Sequence, residues 1–289
     1  MKLKTIEIAG FKIQLRCKPE EIIGLDEGYT HFILNSNCEN PDIIVDISSG
    51  IPTNIKEEKN IIFQAKDNNQ EYFSIFDDVN GYKIITYSPT NINQIQQVAF
   101  LSKDYSNWTI YTEPLTDGIL CPLLYPMGPL IFYYLTVKFD AIMIHASGIF
   151  DNEMGRIFTG FSGVGKSTMA NLWQKSGAQI INDDRLIIRK ENNCYNIYNT
   201  PMFYIDNSKK IPLNSINLIY HNSKNIIKKV EGAYAISSIL AFCIQHSYSK
   251  EILNHHLEFL SQLCLKIPVY SVGFKPDNEI VKFIKEHAK

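Results

Sequence analysis

The sequence predicts an α/β protein, with a β-rich region over 1–122 and a strand-and-helix core over 123–289 organised around one glycine-rich loop. Three observations carry this. Before residue 120, runs rich in Ile, Phe, Tyr and Val are separated by Asn, Asp, Gly and Pro, as strands and turns require. Residues 160–167 read Gly-Phe-Ser-Gly-Val-Gly-Lys-Ser, a complete G-x-x-x-x-G-K-[ST] pattern. Beyond it, apolar runs of strand length alternate with helical periodicity.

In chain order, the expected strands are Ile6–Leu15, Asp42–Ile47, Asn60–Gln64, Tyr72–Phe76, Tyr82–Tyr87 and Trp108–Tyr111. Asn80-Gly81 is a strong hairpin signal between two of them. Asp77-Asp78, just before it, reads as a solvated loop pair and not as a metal site. The prolines and glycine of 122–128 break the β pattern, and a helix apolar on most faces is expected over Gly128–Val137. Asp140–Phe150 and Gly155–Thr159 come next as strands around a polar turn. Residues 167–176 carry Met169, Leu172 and Trp173 on one helical face, and Gly177 stands where a C-terminal cap belongs. Ala178–Lys190 reads as strand, acidic break, strand. Tyr195–Tyr198, Pro201–Ile205 and Ile216–Tyr220 are short strand candidates. Helices over Ala233–Gln245 and Ile252–Leu265, a strand over Pro268–Phe274 and a terminal helix to Glu286 complete the chain.

Composition produces the glycine-rich pattern by chance in roughly one chain of this length in a hundred, so its flanks decide its meaning. A buried strand before it and an amphipathic helix after it are the arrangement a phosphate cradle needs. The glycines free backbone N–H groups to close on phosphate oxygens, and the helix N-terminus adds partial positive charge. Lys166 would reach the β- and γ-phosphates, and Ser167 would offer its hydroxyl to Mg²⁺. Gly160, Ser162, Gly163, Val164, Gly165, Lys166, Ser167 and Thr168 are the expected nucleotide-binding residues.

Phosphoryl transfer from such a loop needs carboxylates elsewhere, for the metal and to accept a proton. Asp183-Asp184 lies 17 residues beyond Lys166, interrupting apolar strand sequence, which leaves room for one helix and a return strand. Arg185 comes immediately after and could steady phosphate charge or hold the acidic pair. His145 lies in the apolar strand ahead of the loop strand. By residue type alone it reads as a core histidine, and by strand order as a neighbour of the pocket.

The whole chain sets further bounds. Its 289 residues suit one large or two modest domains, and 45% hydrophobic with 20% charged content is globular. Net charge is −2 without a basic stripe, which argues against nucleic acid as the main partner. The six cysteines lack C-x-x-C spacing, so free thiols in a reducing cytoplasm are expected in place of a zinc or disulfide framework. No N-terminal apolar segment suggests a signal peptide, and no apolar run suggests a membrane span. The expectation is a cytoplasmic protein without a membrane partner; a homo-oligomer is left open.

The order Ile144-His145-Ala146, then Gly160–Thr168, then Gly177-Ala178-Gln179-Ile180-Ile181-Asn182-Asp183-Asp184 resembles the C-terminal catalytic domain of the HPr kinase/phosphorylase superfamily. Thr200-Pro201-Met202-Phe203, the helix from Ala233 and the Pro268-Val269-Tyr270 strand extend the resemblance over roughly residues 123–289. It implies a P-loop core similar to that of phosphoenolpyruvate carboxykinase, with ATP and Mg²⁺ as cofactors. It also implies that one aspartate of the pair is a general base with the strand histidine near it, while the other supports the metal. Thr168 stands where true HPr kinases have Glu, and their glycine- and arginine-containing signature segment and N-terminal domain have no counterpart. The expectation is therefore an HPr-kinase-related phosphotransferase and not a true HPr kinase.

The expected activity is ATP- and Mg²⁺-dependent phosphorylation of a hydroxyl, with a serine of a protein or peptide as acceptor. Asp183 would be the base, helped by His145; Ser167 and Asp184 would hold the metal; Lys166 and Arg185 would balance phosphate charge. The aspartate roles could be exchanged. Two other readings are a nucleotide-binding switch without transfer and, more weakly, carboxykinase-type transfer to a small molecule.

Overall fold

The computed structural model describes every residue except 37, 54, 56–59, 68–69, 92–93, 116–117, 247–248 and 289. The chain divides into two compact units. The first runs from Met1 to Lys138 and includes Pro201–Asn207 and His246; the second holds the remainder. The expected boundary at 122/123 falls ahead of the apolar helix, which packs with the β-rich unit.

The first unit contains β1 (Lys2–Ile8), β2 (Phe11–Cys17), β3 (Ile22–Ile23), β4 (Ile33–Leu34), β5 (Ile43–Ser49), β6 (Ile61–Asp67), β7 (Gln70–Asp78), β8 (Gly81–Tyr87), β9 (Ile95–Ser102), β10 (Asn107–Thr112), β11 (Ile119–Leu120) and helix α1 (Met127–Lys138). One sheet runs β4-β1-β2-β5-β10-β9-β8-β7-β6. The segment expected as one strand, Ile6–Leu15, is two: Ala9 and Gly10 adopt φ of 54° and 74°, turning β1 back onto β2. The Asn80-Gly81 turn joins β7 to β8 as expected, with Asp78 opposite Gly81. Helix α1 is buried nearly all round, and Tyr134 seats it on a cluster of Tyr82, Tyr105 and Trp108. Burying an all-apolar helix is what its composition requires.

The second unit contains β12 (Ala141–Phe150), β13 (Gly155–Thr159), α2 (Lys166–Lys175), β14 (Gln179–Asn182), β15 (Arg185–Glu191), β16 (Cys194–Asn199), β17 (Lys210–Pro212), β18 (Ser215–His221), β19 (Ile226–Val230), α3 (Gly232–Leu240), α4 (Lys250–Lys266), β20 (Val269–Phe274) and α5 (Glu279–His287). Its sheet runs β17-β16-β15-β12-β13-β18-β20-β19, with β14 also paired to β12. The strands are apolar on both sides because helices cover both faces. Ile142, Ile144, Ala146, Ile157 and Leu218 pack toward α3 and α4. Ile149, Phe158, Ile219 and Val272 pack toward α2 and α5, around Trp173.

This is the α/β class that the sequence predicts. Two details differ. Pro201–Ile205 forms no strand; its prolyl start and the exposed Phe203 (88% exposed) leave it outside any ladder. Helix α3 stops at Leu240, and the chain then runs extended beside β12, with Ile244 N–H donating to the Met143 carbonyl and His145 N–H donating to the Phe242 carbonyl. All six cysteines are free thiols. Among the described residues, no helix is long and apolar enough to cross a membrane.

Candidate functional site

Strand β12 organises the site. One edge pairs with β13 through residues 146–150, and the other with β15 through 141–145 and with β14 through 148–150. Strands β14 and β15 therefore lie end to end along one edge, and Asp183-Asp184 is the gap between them. The ladder is held across the gap by Ala146 N–H, which donates to the Asp184 carbonyl at 3.0 Å.

The gap is braced from within. Asn182 is buried, and its side-chain oxygen accepts from the N–H of Asp183 at 2.7 Å and of Asp184 at 3.0 Å. Its amide donates to the Thr200 carbonyl at 3.2 Å, and the Thr200 hydroxyl donates to the Arg185 carbonyl at 3.1 Å. Two backbone donors that leave the ladder are thus satisfied by one fixed side chain, as buried amides must be.

The carboxylates have different partners. Ser147 Oγ donates to Asp183 Oδ1 at 2.5 Å. Asp184 Oδ2 is 3.2 Å from Arg185 Nη1, and its Oδ1 is 3.5 Å from His145 Nε2. Among the described residues, the carboxylate that His145 contacts is therefore Asp184, and Asp183 acts on it through its charge. His145, Ser147 and Arg185 share a face of the sheet: residues two apart on a strand point the same way, and His145 is registered opposite Arg185. That face is the one covered by α2, because Ser147 pairs with Phe158, which packs on Trp173.

The loop 160–165 leaves the end of β13 and enters α2 at Lys166. Gly163 and Gly165 have φ of 77° and 96°, the left-handed region where a side chain is strained. Gly160 admits no Cβ, which would sit 2.8 Å from the Ile219 carbonyl oxygen. Lys166 is buried and folds over the loop, donating to the carbonyls of Gly160 at 3.1 Å and Phe161 at 3.2 Å. Burial lowers its pKa, and the negative charges of Asp183 and Asp184 pull it back up. Burial likewise lowers the pKa of His145, reinforced by the Lys166 charge and opposed by Asp184. The lysine, the histidine and both aspartates thus lie within one another's fields.

The remaining loop residues differ in exposure. Ser162 and Gly163 are exposed, Val164 is half-buried, and Ser167 and Thr168 are exposed on the first turn of α2, directly after Lys166. Among the described residues no hydrogen bond joins Ser167 or Thr168 to the acidic pair. Sequence reasoning does not single out Ser147 or Asn182. A periodicity signal exists for Ser147, two residues beyond His145 on one strand. For Asn182 the signal is a polar amide closing an otherwise apolar strand.

As a donor set, two partly exposed carboxylates and one hydroxyl suit a hard cation that keeps water and shares phosphate oxygens. They do not make an all-protein cage, and among the described residues no group of three or more His, Cys, Asp or Glu could hold a metal ion.

No protein-family model and no curated protein matches the chain. Among solved structures, the chain is similar to the HPr(Ser) kinase/phosphatase of Coxiella burnetii at 13% identity, with a TM-score of 0.31, covering 50% of this chain and 95% of that one.

Proposed function

We propose that this protein is an ATP-dependent phosphotransferase of the P-loop type that phosphorylates a hydroxyl, with a serine of a protein or peptide as the proposed acceptor. The observation that carries the reading is the meeting of a buried loop lysine with a braced aspartate pair across β12. Each part alone has a structural use. Together they provide what moving a phosphoryl group needs: an anion cradle, a counter-charge, a metal ligand and a base.

In this reading the loop N–H groups and Lys166 hold the β- and γ-phosphates. Lys166 now spends its ammonium on loop carbonyls, and phosphate oxygens would replace them. Mg²⁺, held by Ser167 and Asp184, would supply charge neutralisation at the phosphates. In this assignment Asp184 keeps its place beside Arg185, whose Nη1 is 3.2 Å from its Oδ2. His145 holds Asp184 in place. Asp183 has one oxygen engaged by Ser147, so the other is available to take the proton of the acceptor hydroxyl. The acceptor oxygen then bonds to the γ-phosphorus as the bond to the β-phosphate oxygen breaks, and ADP leaves. Arg185 lies where it can offset charge on the transferred group.

The test is Mg²⁺-dependent ATP turnover with serine-containing peptides, in the parent protein and in Lys166→Ala. Loss of ATP binding and at least a ~100-fold fall in turnover are expected, as for removal of a charged transition-state contact. Full activity in Lys166→Ala would overturn the assignment. ATP binding without any transfer, unchanged in Asp183→Asn, would favour a nucleotide-binding switch.

A further inference from the structure

We infer that the cavity between α3 and the β18–β20 strands holds the base of the nucleotide, by stacking and without selecting adenine over guanine; the inference rests on the nucleotide-binding reading of the loop. The cavity measures about 560 Å³ and opens beside the glycine-rich loop, whose Phe161 and Val164 form part of its wall. That volume is ample for a purine.

Its lining is aromatic and hydroxylic. Phe161 and Phe242 meet edge to face with centroids 5.2 Å apart, and Tyr220 and Tyr234 supply further rings. Ser238 and Ser271 add hydroxyls. Phe161 is 76% exposed at the mouth of the cavity, so its ring face is open to a stacking partner. No charged side chain lines the cavity among the described residues. It therefore offers no counter-charge to a phosphate and much to an uncharged, planar ring.

The sheet order says which end of a nucleotide this is. The acidic pair lies beyond β12, on one flank of the loop strand β13. The cavity lies at β18, on the other flank. Three strand spacings separate β15 from β18, about 14 Å at the usual interval. A nucleotide lying across the loop, its terminal phosphate toward the aspartates, has its base on the β18 side. An acceptor must approach the aspartates, so the cavity is on the wrong flank for it.

Selectivity is set by the lining. Adenine and guanine differ in the donors and acceptors on their edges, and discrimination by side chains needs fixed amides, carboxylates or guanidinium groups. The cavity has hydroxyls, each able to donate or accept by rotating. Both purines are accommodated.

The experiment is calorimetric titration of the whole protein with Mg²⁺ and, separately, ATP, GTP and inorganic tripolyphosphate. ATP and GTP should bind within about threefold of each other, and both about tenfold or more tighter than tripolyphosphate, the gain expected from stacking one base. Tyr234→Ala, at an exposed helix position, and Ser238→Trp, which fills the cavity, should each bring ATP down toward tripolyphosphate and leave tripolyphosphate unchanged. ATP binding no tighter than tripolyphosphate, or tighter but unmoved in Tyr234→Ala, would overturn the base site while leaving the loop assignment standing. ATP preferred over GTP by ~30-fold or more would overturn the lack of selectivity. If neither ATP nor tripolyphosphate binds, the nucleotide reading fails and this inference fails with it.

Discussion

The chain contains the dipeptide Asp-Asp twice in similar settings, and the two pairs meet opposite fates. Asp77-Asp78 closes β7 after Ile75-Phe76, and Asp183-Asp184 comes directly after β14, which ends Ile180-Ile181-Asn182. Asp77 is exposed and Asp78 half-buried, with one side-chain oxygen accepting the Asn80 N–H at 3.3 Å as the hairpin turns. Their carboxylates meet water and a turn. Asp183 and Asp184 are half-buried, on a gap braced by Asn182, and are met by Ser147, His145 and Arg185. The difference is not in the dipeptide. It lies in the residues after each pair: Asn80-Gly81 reverses the chain, whereas Arg185 resumes the strand alongside β12. The pair that ends a strand at a hairpin points to solvent, and the pair that fills a gap between two strands on one sheet edge is met by side chains of the neighbouring strand.

The largest expected effect breaks the comparison directly. Asp183→Asn should lower turnover by about 10²–10⁴-fold, the usual worth of a positioned base, with ATP binding retained. Asp77→Asn and Asp78→Asn should leave turnover unchanged and shift stability by no more than about 0.5 kcal/mol, as surface substitutions do. Steady-state kinetics and urea unfolding on the three variants decide it. Equal losses at the two pairs would mean that Asp183 acts only through the fold.

The next effect concerns the asparagine beside each pair. Asn182 is buried and satisfies two backbone amides, whereas Asn80 is exposed in a turn. Asn182→Ala leaves both amides without that acceptor and should cost about 1–3 kcal/mol, read as a lower urea midpoint, together with a lower kcat at unchanged KM for ATP. Asn80→Ala should cost a few tenths of that scale. A similar midpoint shift for the two would show that the Asn182 brace is replaced by solvent.

These contrasts also show what is legible in the sequence. The Asn80-Gly81 turn, the loop between an apolar strand and an amphipathic helix, and the acidic interruption of Ala178–Lys190 are all local patterns with local causes, and each element is readable. The Ala9-Gly10 turn is not, because Ile6–Leu15 keeps its strand character through it and only a positive φ reverses it. Strand β9 begins Ile95-Gln96-Gln97, too polar to announce itself, yet Gln97 is buried because its amide reaches the carbonyls of Cys121 and Pro122. Ser147 and the Asn182 brace depend on which strand lies beside which. That is decided by register across β12, and single-sequence periodicity carries no register.

The smallest effect distinguishes the pairs by pH, since, among the described residues, the second has a histidine beside it. His145 in the folded protein has a pKa below the ordinary 6.5, chiefly because burial disfavours its charged form, with Lys166 adding to that and Asp184 opposing it. As pH falls below 6.5, the unfolded chain takes up this proton before the folded one does. By linkage the contribution to stability is fully present above pH 6.5 and declines as pH falls through and below that value. His256 acts in the same direction more strongly, burial and His255 pushing its pKa down to about 4, and it is common to parent and variant. His145→Gln keeps a polar group beside Asp184 but cannot titrate. Between pH 7.5 and 5.0 the urea midpoint of the parent should therefore fall further than that of His145→Gln. A steeper fall in the variant would reverse the sign and make His145 a charged partner of Asp184, a cation that the first aspartate pair never acquires.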